Sequence, residues 1–126
     1  MKYLAEILIL ITAILHILFF KIESIDFMKD SVLKKFNLNK EQGAIVKIWA
    51  FNQGFYNLFL GFGLIYSLIL LNGNNIAIGK FLAEYILLFI TGAGVVLYFS
   101  SPKNYKAAII QSAPAFLGFL ATINIK

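Results

Sequence analysis

The chain has 126 residues, of which 60% are hydrophobic and only 13% are charged; soluble domains average roughly 45–50% apolar and about 25% charged residues. This composition argues against a water-soluble fold and predicts one membrane domain over residues 1–126. The absence of Cys and the single His exclude disulfides, thiolate chemistry and a site with several His or Cys ligands within one chain. We therefore expect no metal and no cofactor.

Four apolar segments follow one another along the chain. Each holds about 17–22 residues, which is enough to cross roughly 30 Å of hydrocarbon as a helix. With their flanking residues they predict helices at about 3–22, 40–71, 79–99 and 102–124. The predicted fold is all-α and integral to the membrane, with four transmembrane helices in an up-down bundle.

The connectors carry boundary signals for these helices. Asn39 with Gln42 three residues later predicts a capping box at the start of helix two. Asn72-Gly73 predicts its end, and Ser101-Pro102 predicts an N-cap followed by proline at the start of helix four. Residues 24–36 mix large apolar side chains with lysines, which favours a short amphipathic helix on the membrane surface; an ordinary solvated loop is the alternative.

The lysines predict the orientation in the membrane. All eleven basic residues are Lys, and they lie mostly between the apolar segments, which argues against nucleic-acid binding. One side carries Lys21, Lys29, Lys34, Lys35, Lys40, Lys47, Lys103 and Lys106, and the other carries Lys2, Lys80 and Lys126. This bias predicts a multi-pass protein of the cell (plasma or inner) membrane, with connectors 21–47 and 100–106 cytoplasmic and both termini outside. Because the first segment is not followed by a small-x-small cleavage site, we expect it to be retained.

Polar side chains interrupt the apolar segments near the predicted cytoplasmic face. At about 100° per residue, the polar residues of the block Asn52–Asn57 share one arc of helix two. His16, Gln53, Asn57 and Gln111 all fall about 5–10 Å inside that face, and Glu23 follows His16 on the same side of helix one. Unpaired polar groups in hydrocarbon cost several kcal/mol, so these side chains are expected to meet. The predicted ligand-binding residues of this polar pocket are His16, Glu23, Asn52, Gln53, Tyr56, Asn57 and Gln111.

Several of these positions carry a family resemblance that spans nearly the whole chain. The most specific part is the block Asn52-Gln53-Gly54 with Tyr56-Asn57, and Ile25-Asp26 after Glu23 departs from the usual pattern. The chain resembles the small bacterial membrane proteins classed as domain of unknown function 1304. The other matching residues are His16, Glu23, Phe27, Phe36-Asn37-Leu38, Phe59-Leu60, Gly63-Leu64, Gly92, Gln111 and Pro114-Ala115. The resemblance implies an integral membrane protein and supplies no reaction.

Three functions fit this arrangement. The favoured one is binding or transport of a lipid or small amphiphile in the polar pocket, with membrane lipids as partners and a homo-oligomer expected for transport. The second is a membrane enzyme in which His16 and Glu23 exchange protons; neither is assigned as catalytic, and the lack of Cys, Arg and a second His favours a non-enzymatic protein. The third is a structural or accessory subunit, in which the carboxamides hold helices together.

Overall fold

The computed structural model describes residues 2–123 and 125. Helix α1 covers Lys2–Phe20 and continues into a π-helical turn at Lys21–Ile25, which we call the π-turn. Helices α2, α3 and α4 cover Asp30–Lys35, Lys40–Leu71 and Ile76–Ser100. A 3₁₀ turn at Pro102–Asn104 then leads into α5 at Tyr105–Thr122. The predicted all-α class is confirmed for the described residues.

Three stretches are long and apolar enough to cross a membrane. They are Lys2–Ile25, Lys40–Leu71 and Ile76–Ser100. Among the described residues, α5 is not in this set; its 18 residues include Lys106, Gln111 and Pro114, which lower its hydropathy. A fourth span therefore stays a prediction.

The four long helices surround one apolar core. Helix α1 packs against α3 and α5, and α4 packs against the same two helices. Their inward faces supply fully buried side chains, while large apolar side chains cover the outside of each helix. The buried set includes Ala5, Ile9, Ala13, Leu64, Leu71, Ala83, Leu87, Ile90 and Ala115. A surface of this kind suits lipid as its surroundings.

Helix α3 begins and ends where its sequence signals predict. The Oδ1 atom of Asn39 accepts from the Gln42 backbone N–H at 2.8 Å, and the Asn39 N–H donates to Gln42 Oε1 at 3.0 Å, so the capping box is confirmed. The helix ends at Leu71 with Asn72 as its C-cap. Ser101 does not cap a backbone N–H; its hydroxyl accepts from the Asn104 side chain at 2.9 Å, and the α-helix starts only at Tyr105.

The connector between α1 and α3 folds back onto α3. Its only α-helix, α2, is six residues long and shorter than predicted. Phe27, Val32 and Leu33 are buried and pack against Val46 and Ala50 of α3. The apolar side chains of the connector therefore cover the first part of α3.

The end of α3 is fastened to the start of α1. Lys2 Nζ donates to the carbonyl oxygen of Leu71 at 3.1 Å, and Asn72 Nδ2 donates to Glu6 Oε1 at 2.9 Å. Lysine near the end of a helix satisfies carbonyl groups that have no partner within it. The start of α1 and the end of α3 therefore lie together.

The end of α5 is fastened to the start of α4 in the same way. Lys80 Nζ donates to the carbonyl oxygens of Ile123 and Ile125 at 3.2 and 2.9 Å. Thr122 Oγ1 lies 3.2 Å from Glu84 Oε1 and shares its single hydroxyl proton with the nearer carbonyl oxygen of Phe119 at 2.6 Å. Together the two sets of contacts form what we call the terminal clamps. In each, a Lys and a Glu four residues apart hold the last residues of a neighbouring antiparallel helix.

Candidate functional site

The π-turn presents Glu23 to α3. Its five-residue turn is closed by a hydrogen bond from the Asp26 N–H to the Lys21 carbonyl oxygen at 2.9 Å. Asn57 Nδ2, on the facing side of α3, donates to Glu23 Oε2 at 2.7 Å. Asn57 is only 6% exposed. Single π-helical turns are rare and often occur at functional sites, so this turn marks the region for attention.

A close contact between the π-turn and α3 sets this geometry. Ser24 Oγ donates to the carbonyl oxygen of Phe51 at 2.7 Å. A Cβ atom at Gly54 would collide with Ser24 Oγ and lie 3.0 Å from the Ser24 backbone nitrogen. Gly54 therefore permits the approach that lets Asn57, one turn further along α3, reach Glu23.

Asp26 pairs with the first lysine of the π-turn and with a lysine that follows the turn. Its carboxylate pairs with Lys21 Nζ and with Lys29 Nζ, the latter at 2.8 Å. Hydrogen bonds from Lys21 and then Lys29 lower the pKa of the Asp26 carboxyl from its ordinary value of 3.8. Among the described residues, no ion pair reaches Glu23.

A groove of about 400 Å³ opens beside Glu23, between the connector and α3. Glu23 and Gln53 are its polar lining residues. The apolar lining comes from the connector and one face of α3, namely Phe27, Phe36, Leu38, Val46, Trp49 and Ala50. We call this space, with its polar end at Glu23 and Gln53, the connector groove.

His16 lies on α1, seven residues before Glu23, in the interior of the bundle. It is fully buried, its Nδ1 is 2.9 Å from the carbonyl oxygen of Thr12, and its ring meets Phe19 edge to face. Because a carbonyl oxygen only accepts, Nδ1 carries the proton of that hydrogen bond. Nε2 has no hydrogen-bond partner among the described residues. No hydrogen bond among the described residues joins His16 to Glu23, so the two side chains of the enzymatic hypothesis are not hydrogen-bonded to each other.

Gln111 shares the level of His16. A Cβ atom at Gly118 of α5 would lie 3.4 Å from Leu8 Cβ of α1, and the two helices are antiparallel. His16 lies eight residues beyond Leu8, which is about 12 Å along α1 at 1.5 Å per residue. Because α5 runs in the opposite direction, His16 is level with residues near 110, which lie eight residues before Gly118. Gln111 is partly buried, and its side chain makes no hydrogen bond within the described part of the chain.

The structure separates Asn52 and Tyr56 from this group. Asn52 is exposed and its side chain donates to the carbonyl oxygen of Ile48 in its own helix, at 2.9 Å. Tyr56 is 62% exposed. Of the seven predicted site residues, the structure brings together Glu23, Gln53 and Asn57, with His16 and Gln111 deeper in the bundle. Ser24 and the apolar groove residues were not predicted as part of the site, because one sequence does not show which residues face each other across helices.

The fold and site define a class of small all-α proteins with helices apolar enough for a membrane. Within that class, a family model described as "Protein of unknown function (DUF1304)" matches residues 10–123. The chain therefore belongs to this family, and the predicted resemblance is confirmed. No curated protein and no solved structure matches the chain. Every candidate residue from His16 to Gln111 lies within the matched range.

Proposed function

We propose that this protein binds a lipid or small amphiphile in the connector groove, at the cytoplasmic side of the cell membrane. In this proposal α5 is the fourth span of an up-down bundle, and α2 lies at the membrane surface. Two observations support α5 as a span: it packs against α1 and α4, and its last turn reaches the terminal clamp at Glu84. The lysine distribution supports cytoplasmic connectors at 21–47 and 100–106, with both termini outside.

The amphipathic lining of the connector groove carries the proposal. Binding pockets for small molecules are mainly apolar, with a few polar groups that fix orientation. Here six apolar side chains face two polar ones, Glu23 and Gln53. A volume of about 400 Å³ holds on the order of a dozen non-hydrogen atoms at the ~30 Å³ that a water molecule occupies in the liquid. That is the size of one short alkyl chain with a small head group.

Binding is better supported than transport by a single chain. Ile9, Leu64, Leu87 and Ile90 are fully buried at the centre of the four helices. Such a packed apolar core offers a polar solute no route between the two membrane faces. Transport would therefore require a second copy of the chain to complete a path.

One observation favours a purely structural role as the second candidate function. The hydrogen bond from Asn57 to Glu23 joins the π-turn to α3 in a partly buried position. Hydrogen bonds of this kind hold membrane helices together at about 0.6 kcal/mol on average. A structural subunit would need this bond and would not need the connector groove to be open.

Filling the connector groove distinguishes the two functions. Ala50→Phe places a ring in the groove, and Ile48→Phe places the same ring on the exposed side of α3 as a matched control. The proteins are purified gently, and retained small molecules are identified by mass spectrometry. We expect an amphiphile with wild type and I48F, and its loss with A50F at unchanged helicity. Equal retention by all three proteins would contradict the proposal.

A further inference from the structure

Only one of the two oxygens of the Glu23 carboxyl group has a hydrogen-bond donor among the described residues. Asn57 occupies Oε2, whereas Oε1 has no hydrogen bond or ion pair to any described residue. The two lysines nearest in sequence, Lys21 and Lys29, are both paired with Asp26. A partly buried carboxylate without a cation is costly, because it has lost water and gained little in exchange.

The surroundings of Glu23 select the sign of a ligand. No lysine lines the connector groove, although lysines are abundant in the connector as a whole. Gln53 adds an amide that can both accept and donate hydrogen bonds, so the polar end of the groove holds the Glu23 carboxyl group and one neutral amide. The ionised form of Glu23 would repel an anionic head group, and a hydroxyl head group would supply no positive charge to stabilise that form.

We propose that the connector groove binds an amphiphile with an ammonium head group, which donates to the free oxygen of Glu23 while its alkyl chain lies against the apolar wall. This inference rests on the proposed function and specifies its ligand class. A primary ammonium has three N–H donors, enough for the Glu23 carboxylate and the Gln53 oxygen together. Charge-assisted hydrogen bonds of this type are shorter and roughly twice as strong as neutral ones.

The single Trp of the chain supplies the readout. Trp49 lines the connector groove. We expect a 12-carbon amine with a bromine at the end of its chain to quench the fluorescence of Trp49 when it occupies the groove in phosphatidylcholine nanodiscs. Unlabelled dodecylamine, dodecanol and dodecanoate then compete for the same position. Since Trp49 is 65% exposed, quenching from the bulk bilayer is measured separately with the groove-filled A50F protein.

The variant Glu23→Gln tests the charge while preserving the shape. Its amide oxygen still accepts from Asn57, so the contact to α3 is kept. Glu41→Gln removes a carboxylate from the exposed first turn of α3, outside the groove, and serves as the matched control. We expect wild type and E41Q to bind dodecylamine about tenfold more tightly than dodecanol, and E23Q to bind both about equally.

The possible failures are distinguishable. Equal competition by amine and alcohol in wild type would overturn the ammonium assignment while leaving amphiphile binding intact. If E23Q keeps the full preference for the amine, the ammonium assignment is likewise overturned, while amphiphile binding stays intact. If wild type and A50F are quenched alike and no competitor has an effect, the groove is not a binding site and the proposed function itself fails.

Discussion

Replacing Gly54 with Ala tests the close approach on which the site geometry depends. The added methyl group would collide with Ser24 Oγ and lie 3.0 Å from the Ser24 backbone nitrogen. The hydroxyl can rotate away only by giving up its hydrogen bond to the Phe51 carbonyl oxygen. The backbone nitrogen cannot move without shifting the π-turn, and with it Glu23.

The expected free energy change is a balance of three effects. Overpacking a tight contact costs about 1–3 kcal/mol, and the lost hydrogen bond costs about 0.5–1.5 kcal/mol. Replacing Gly by Ala within a helix stabilises the helix by about 0.8–1 kcal/mol, which offsets part of this cost. We therefore expect G54A to lower the free energy of unfolding by about 0.5–4 kcal/mol. Gly92 provides the matched control, because a Cβ atom there meets nothing within 4 Å and the same substitution should be neutral or stabilising.

The assay is reversible unfolding by dodecyl sulfate in mixed micelles, followed by the fluorescence of Trp49. The double variant S24A/G54A removes the hydroxyl that the new methyl group meets, so the cost of G54A should fall by about half or more in the S24A background. The reasoning is refuted if G54A and G92A change the stability by the same amount in the same direction.

Two further predictions concern the polar groups. Replacing Asn57 with Leu leaves Glu23 Oε2 without its donor, which should cost about 1–3 kcal/mol in the same unfolding assay; the cost should shrink in an E23Q background, and an unchanged cost would show that the bond contributes nothing. Replacing Asp26 with Asn should abolish an acid-dependent loss of stability. Because its pKa is lowered on folding, the contribution of the Asp26 pairs is complete above its ordinary value of 3.8 and is lost as the pH falls through the lowered value. Carbon-13 NMR titration of Asp26 measures that value, and a pKa at or above 3.8 would contradict the structure.

Sequence patterns predicted the features that depend on local interactions. The capping box at Asn39 and Gln42 and the end of α3 at Asn72 involve residues within a few positions of one another. The apolar segments likewise report their own length and hydropathy. Such signals do not depend on which helices become neighbours, and they were therefore readable from one chain.

The candidate site was predicted only in part, because it depends on contacts between helices. The regular 100° spacing placed Asn52, Gln53, Tyr56 and Asn57 on one arc, but the buried stripe of α3 passes through Gly54, Asn57 and Gly61. The arc was wider than the stripe, so Asn52, Gln53 and Tyr56 remain exposed, and of these three only Gln53 lines the groove. The π-turn adds a second reason. Its hydrogen bond joins residues that are five apart in sequence, whereas an α-helix joins residues that are four apart. A helical wheel assumes α-helical spacing and therefore does not show the rotation that the π-turn gives Glu23.

The two terminal clamps leave the molecule with unequal ends. At one end Lys2 binds the last carbonyl group of α3, and Lys80 binds carbonyl groups of the residues that follow α5. At the other end the helices are joined by the π-turn and its connector, where the groove opens. Under the proposed function, a ligand would therefore reach Glu23 from the end of the bundle that carries neither clamp.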